Sequence, residues 1–355
     1  MSDQQPIIDV HAHVLLPQLE ALVKEHNPHG LADQQQTDLV RNGAASQHNS
    51  GLMIRERWPL LTDVDARLDH MGKSRVDVQI ISPSPSHFYA FASTELATML
   101  YQEANRLIRE YIEQAPARFH GLGLAPLQHP QLMVSALEDA VLTRGLAGVE
   151  IGSYAPDPDG GTIELSDPRL DPFWARAEEL GAVIFLHPFG CPLEARLDRF
   201  YLANTVAQPA ENAVALSHFI FAGVLDRFPA LKLVAAHGGG YLPQAVGRSD
   251  HAWEVRPEAR VCEHAPSSYL SRLWFDSLVH SSVELVHLAQ SAGATRVLLG
   301  SDFPFDMGSD YPVETVEAAA LGQGECEAIL RQNAADLGLA SFALSGKTVL
   351  EGSES

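Results

Sequence analysis

Eight short, nearly continuous apolar runs recur along this chain, most of them separated by stretches with helical spacing. They are Ile7-Ile8-Asp9-Val10, Val76–Pro83, Phe119–Pro126, Leu146–Gly152, Ala182–Pro188, Leu231–Gly240, Arg272–Ser277 and Arg296–Pro304. A strand that is apolar on both sides has to be covered on both faces, which is the condition of a parallel sheet wrapped in helices. Helical spacing is legible over Thr62–Lys73, Ser93–Gln114, Gln131–Arg144, Pro172–Leu180 and Pro209–Arg227, and in Ser93–Gln114 the residues Leu96, Met99, Leu100, Leu107 and Tyr111 share one side. The pattern predicts a single (β/α)8 TIM barrel. An open doubly wound sheet is disfavoured, because no G-x-G-x-x-G follows the first run.

The barrel domain is expected over residues 1–340, with 341–355 a loose C-terminal tail. Between the first run and the next, residues 15–61 form a long polar insertion containing Gln34-Gln35-Gln36 and Gln47-His48-Asn49-Ser50-Gly51. Without clear periodicity, this stretch reads as an irregular lid or substrate loop.

The strand ends carry the chemistry. The first run ends Asp9-Val10-His11-Ala12-His13, and on a regular strand His11 and His13 share a face with Asp9 behind them. The fifth run ends in His187, the sixth in His237 and the eighth in Asp302. A lone histidine at a strand end is usually structural; five metal-type side chains at the rim where barrel active sites lie point to one metal site. His218, His251 and His264 read as helix or loop residues, while His280, just past the seventh run, is a candidate for the pocket wall. Trp58, Trp274 and Phe189 read as packing residues, with Phe189 the one best placed to touch a planar substrate.

Charge and composition narrow the partners. The formal net charge is -21, which opposes binding to nucleic acid or to an anionic membrane and suits a small-molecule enzyme. The three cysteines, Cys191, Cys262 and Cys326, form no CxxC pair, so a reducing cytoplasm is the expected location. No N-terminal leader pattern and no run of about 18 apolar residues is present.

Asp-Val-His-Ala-His on the first strand, His187-Pro188, His237-Gly238-Gly239-Gly240 and Gly300-Ser301-Asp302-Phe303-Pro304-Phe305 resemble the amidohydrolase superfamily. Within it they resemble the branch of aminocarboxymuconate-semialdehyde decarboxylase, as do Gly247-Arg248-Ser249-Asp250-His251-Ala252-Trp253 and Pro266-Ser267-Ser268-Tyr269-Leu270. The resemblance implies that His11, His13, His187 and Asp302 bind the metal and that His237 is the acid/base. It implies further that Arg55 and Arg248 clamp the carboxylates of a small carboxylic acid, with Arg248 reaching in from the other subunit of a homodimer.

Binuclear members of the superfamily bridge their metals with a modified lysine or a carboxylate at the end of strand four, and none of Lys24, Lys73, Lys232 and Lys347 is there. Glu150 is the nearest carboxylate and reads as a barrel-interior group or one that supports the ligands, with a bridging role the lesser alternative. One Zn2+ per chain is therefore expected, with Mn2+ the alternative found where the first motif begins with glutamate. The implied reaction is non-oxidative decarboxylation of a carboxylated aromatic or muconate-type acid, the proton arriving through His237 or from Asp302 and no organic cofactor taking part. A metal-dependent hydrolase or hydratase acting on a related ring-cleavage acid is the alternative.

Overall fold

The computed structural model describes residues 5–339, so the expected tail and Lys347 lie outside the described residues. Strands β1 (Ile8–Val14), β2 (Val78–Pro83), β3 (Phe119–Leu124), β4 (Gly148–Ile151), β5 (Val183–Leu186), β6 (Lys232–Ala235), β7 (Trp274–Asp276) and β8 (Val297–Leu298) lie side by side in sequence order, every pair parallel. The ring closes where Val10 N–H donates to Leu299 O at 2.9 Å and His13 N–H donates to Phe303 O at 2.7 Å. Closure removes the sheet edges that would otherwise expose unpaired backbone groups. The expected TIM barrel is the fold observed.

Helices α1 (Pro17–His26), α2 (Pro28–Thr62), α3 (Val64–Lys73), α4 (Thr94–Glu113), α5 (Pro130–Glu138), α6 (Asp171–Leu180), α7 (Ala207–Phe221), α8 (Leu242–Val255) and α9 (Ser282–Ala292) surround the strands. Local sequence starts several of them. Asp63 accepts from Ala66 N–H to cap α3, and Ser93 accepts from Leu96 N–H to cap α4. On α4 the residues Leu96, Leu100, Leu107 and Tyr111 are buried as their spacing predicts, whereas Met99 stays exposed. Among the described residues, no helix is long and apolar enough to cross a membrane.

Two apolar layers result. Ile8, Val10, Ile80, Leu122, Phe185 and Val234 fill the barrel, while Ala12, Ile81, Val149, Ile184 and Leu233 face the helices. The first strand departs from the regular alternation expected of it. Its pairing with β2 shifts between Asp9 and Ala12, so Val10 and His11 both turn inward and Asp9 turns outward. Asp9 therefore does not lie behind the histidines on their face; it meets Gln79, its register partner on β2, and Ser301. A bulge of this kind at a barrel rim re-aims side chains toward the mouth.

The insertion is helical rather than irregular, which corrects the reading of residues 15–61. Its weak periodicity has a physical cause: only Leu31, Ser46 and Leu61 of α2 are buried, so little of the helix needs an apolar stripe. Trp58, read as a packing residue, is exposed on it. The helix kinks at Gly43, whose φ of 76° is left-handed and whose missing Cβ would stand 1.9 Å from Asp198 O.

The chain leaving β1 is pinned by His87, whose Nε2 accepts from Leu16 N–H at 3.0 Å. Burial pushes its imidazole down to about 3 from the usual 6.5. A histidine held neutral in the fold costs nothing above pH 6.5 and destabilises the fold as pH falls from 6.5 toward 3, because only the unfolded chain takes up the proton. In urea unfolding, His87→Asn, which keeps an acceptor, should lose less stability than wild type over that window, with a difference on the order of a few kcal/mol at its acid end. Parallel curves would assign the acid lability to other groups.

Candidate metal centre

The five side chains singled out at the strand ends converge at the C-terminal mouth of the barrel. His11 Nε2 lies 3.0 Å from His13 Nε2 and 3.3 Å from Asp302 Oδ1, and His13 Nε2 lies 3.2 Å from the same oxygen. Ligand-type atoms of His11, His187, His237 and Asp302 all fall within 4.8 Å of one another. The hydrogen bonds assign the protons. His11 Nδ1–H donates to Asp276 Oδ2 at 2.6 Å, which leaves Nε2 as a lone pair turned toward the other groups. His187 Nδ1–H donates to Pro188 O at 2.9 Å, and its buried Nε2 has no partner. Asp302 Oδ1 is likewise buried without a hydrogen bond. Imidazole and carboxylate lone pairs aimed at one point repel unless a cation lies among them, so this donor set fits a transition-metal ion.

The electrostatics agree. Burial alone would lower the His11 imidazole, but the carboxylates of Asp302 and Asp276 outweigh it and raise the group to about 10. The pocket thus favours positive charge where the lone pairs meet. Burial lowers His13 to about 4 and takes His187 well below its ordinary value, helped by the histidines around each, so both are neutral at physiological pH and free to offer a lone pair. Burial opposes ionisation of Asp302, yet His11, His13 and His237 hold its carboxyl well below the usual range. Glu150, buried on β4 with Oε2 4.0 Å from His13 Nδ1, is pushed up to about 8 by burial. It stands in the barrel interior, as its place on the strand predicts.

Asp276 escaped the sequence reading. It holds His11 and also accepts from Gly238 N–H at 2.8 Å and Leu278 N–H at 3.2 Å, tying β7 to the turn that carries His237. A signal existed, since an aspartate closing the seventh strand of a barrel with metal ligands at other strand ends is well placed to orient one of them. Arg67 was missed too. It is wholly buried on α3, donates to Leu60 O, Gln79 Oε1 and His13 O, and lies over the Phe303 ring.

His237 and Asp302 both have left-handed backbones, with φ of 53° and 54°. Non-glycine residues rarely adopt this region and pay roughly 1–3 kcal/mol each for it, strain that collects at functional sites. The turn after His237 needs its glycines: a Cβ on Gly240 would stand 2.1 Å from Pro209 O.

A cavity of about 370 Å³ opens above the cluster, lined by His237, Asp302, Gly240, Tyr241, His280 and Met307 among others. His280 is thus where the sequence placed it. Arg55 on α2 and Arg248 on α8 are exposed, and neither lines this cavity. The neighbouring Arg57 instead grips Asp310 through both Nη atoms at 2.6 and 3.0 Å.

His187→Ala should strip the metal, whereas Asp276→Asn should keep the fold and weaken metal affinity about 10–100-fold. Competition against a chromogenic chelator measures both. Unchanged affinity in Asp276→Asn would mean that the strand packing alone orients His11.

A family model described as amidohydrolase matches residues 8–337. The chain is 34% identical to the 2-amino-3-carboxymuconate-6-semialdehyde decarboxylase of Dictyostelium discoideum over 88% of its own length and 85% of that protein's. It is 29% identical to the gamma-resorcylate decarboxylase of Rhodococcus jostii over 78% of this chain and 88% of that one. The dihydroxybenzoic acid decarboxylase structure from Polaromonas sp. JS666, with bound manganese and 2-nitroresorcinol, superposes with a TM-score of 0.79 at 23% identity over 96% of this chain and 98% of that chain, a likeness of fold. With these relatives and this mouth of histidines, the chain belongs to the amidohydrolase family, in the branch of aminocarboxymuconate-semialdehyde decarboxylase.

Proposed function

We propose that this protein is a metal-dependent carboxy-lyase that removes CO2 from a carboxylated aromatic or muconate-type acid without oxidation. The observation that carries this reading is the convergence of His11, His13, His187 and Asp302 on one point with His237 beside them, in a chain whose relatives are decarboxylases. The four residues hold one divalent ion, and zinc suits a set of three imidazoles and one carboxylate. The single-ion reading rests on the absence of a lysine from β4, Gly148–Ile151, that could bridge a second cation. When bound, the ion supplies Lewis acidity, polarising an oxygen and lowering the pKa of water to about 7.

His237 differs from the ligands beside it. Its side chain keeps 17% of its surface exposed and lines the cavity, whereas the side chains of His11 and His13 have none exposed. Its Nε2 lies 3.4 Å from Asp302 Oδ2, so a proton can pass between the two when a substrate draws them together. The proton goes to the ring or chain carbon that bears the carboxylate; the carbon–carbon bond then breaks, its electron pair returns to the conjugated system, and CO2 leaves. No electron carrier enters the balance.

Arg55 and Arg248 are the carboxylate clamps of this reading. Arg248 is exposed on α8 and does not line the cavity of its own chain, which suits a residue that serves the site of a second copy across a two-fold axis. A guanidinium fork can grip a carboxylate at two points, which lysine cannot. The reading places the enzyme in the cytoplasm as a homodimer.

With zinc-loaded protein, 2,6-dihydroxybenzoate and muconate-type acids should be screened for CO2 release. A hydration or cleavage product without CO2 would favour the hydratase or hydrolase alternative. On the acid that reacts, His237→Asn should retain about one equivalent of zinc and lose about two to four powers of ten in kcat. Normal turnover would make His237 structural.

Arg55→Ala and Arg248→Ala should each be nearly inactive. Co-refolded at equal amounts, roughly a quarter of wild-type activity should return, because half the dimers are mixed and half of their sites are intact. No recovery from folded, metal-loaded variants would return Arg248 to its own subunit.

A further inference from the structure

A second cavity, of about 500 Å³, opens on the same face of the barrel, and the reaction proposed above leaves it without a task. Its inner wall is the chain leaving β1, β4 and β5: Leu15 lies just past His13, Gly152 just past Glu150, and Phe189 just past His187. Its outer wall is α2, through Gln34, Asp38 and Arg41. Gln208 lines both this cavity and the one at the metal cluster, so the two adjoin.

Arg41 is the conspicuous group in this wall. Among the described residues it makes no hydrogen bond and no ion pair, and its Nε is buried without a partner. A buried guanidinium donor left unspent is costly, and it creates a demand for an acceptor. The guanidinium end is aimed at a defined spot. A Cβ on Gly190 would stand 3.4 Å from Arg41 Nη1 and 3.6 Å from Tyr154 Oη, so the two donors flank the space that this glycine leaves free of a side chain. Gln208 Oε1 is also buried without a partner. Asp38 and Glu211 feel the charge of Arg41, but burial pushes both carboxyls up and neither pairs with it.

We propose that this cavity is a subsite for a second carboxylate, carried on an arm of the substrate and held by the Arg41 fork and the Tyr154 hydroxyl, while the carboxylate to be lost lies over His237 and Asp302. The inference rests on the decarboxylase reading and narrows its substrate class to armed dicarboxylic acids. A guanidinium and a phenol flanking one space suit a planar, singly charged carboxylate.

The test measures binding, so that it stands apart from catalysis. Zinc-loaded protein is titrated calorimetrically with benzoate, 3-(carboxymethyl)benzoate and 3-(2-carboxyethyl)benzoate. In wild type, affinity should exceed that for benzoate by about 10–100-fold at one arm length, the increment expected of a charge-assisted pair. In Arg41→Gln the ratio of armed to arm-free affinity should collapse to about one. Tyr154→Phe, which removes only a hydroxyl, should cut the ratio about 3–10-fold and carries the test if Arg41→Gln fails to fold. A wild type that binds no armed acid better than benzoate, or variants that keep the full ratio, would overturn the subsite. CO2 release by wild type is scored separately: its absence overturns the reaction, and the affinity ratios still decide the subsite.

Discussion

The mouth of this barrel depends on the seam between β1 and β8. Asp9, turned outward by the bulge, takes Ser301 by its hydroxyl at 2.5 Å and by its backbone N–H at 3.0 Å. The same carboxylate receives Gln79 Nε2 and His11 N–H, so one wholly buried group ties together three strands. Burial raises Asp9 to about 6, which means that its hydrogen bonds offset only part of the cost of removing its charge from water. The next residue along from Ser301 is Asp302, and the next but one from Asp9 is His11. The seam that closes the barrel therefore also sets the distance between two metal-type ligands.

From that seam the remaining geometry follows outward. Asp276 fixes the ring of His11 and the turn bearing His237 with one carboxylate, so β7 orients groups from β1 and from the exit of β6. Arg67 brings a helix into the same network by donating to Gln79 and to the carbonyl of His13. A guanidinium buried without a carboxylate against it is expensive, and here carbonyl and amide oxygens with the Phe303 ring compensate it. Local distortion buys placement at this rim, as the left-handed His237 and Asp302 show.

The barrel and the five converging side chains were legible in the sequence because both follow from simple periodicity. Apolar runs buried on two faces announce themselves, and barrel strand ends are where ligands belong. What was not legible depended on a one-residue shift or on contacts far apart in the chain. The bulge in β1 reverses the face of Asp9, and nothing in Asp9-Val10-His11 marks it. Asp276 meets His11 across 265 residues, so only the closed ring reveals the pair. The insertion failed for the opposite reason: a helix that buries three of its side chains leaves almost no pattern to read. Arg55 and Arg248 were reached through resemblance alone; both are exposed and stand outside the cavity at the cluster, so the geometry of one chain does not single them out.

The sparse burial of α2 has an evolutionary consequence. A helix that contributes so little to the apolar core can change its sequence at small cost in stability, whereas the strand-end histidines and the Asp9 seam cannot. Its kink is anchored by backbone contact at Gly43 against Asp198, a contact indifferent to most of the side chains along the helix. Selection can thus rewrite this helix while the strand-end side chains stay constant, and homologues sharing those side chains should diverge first along it.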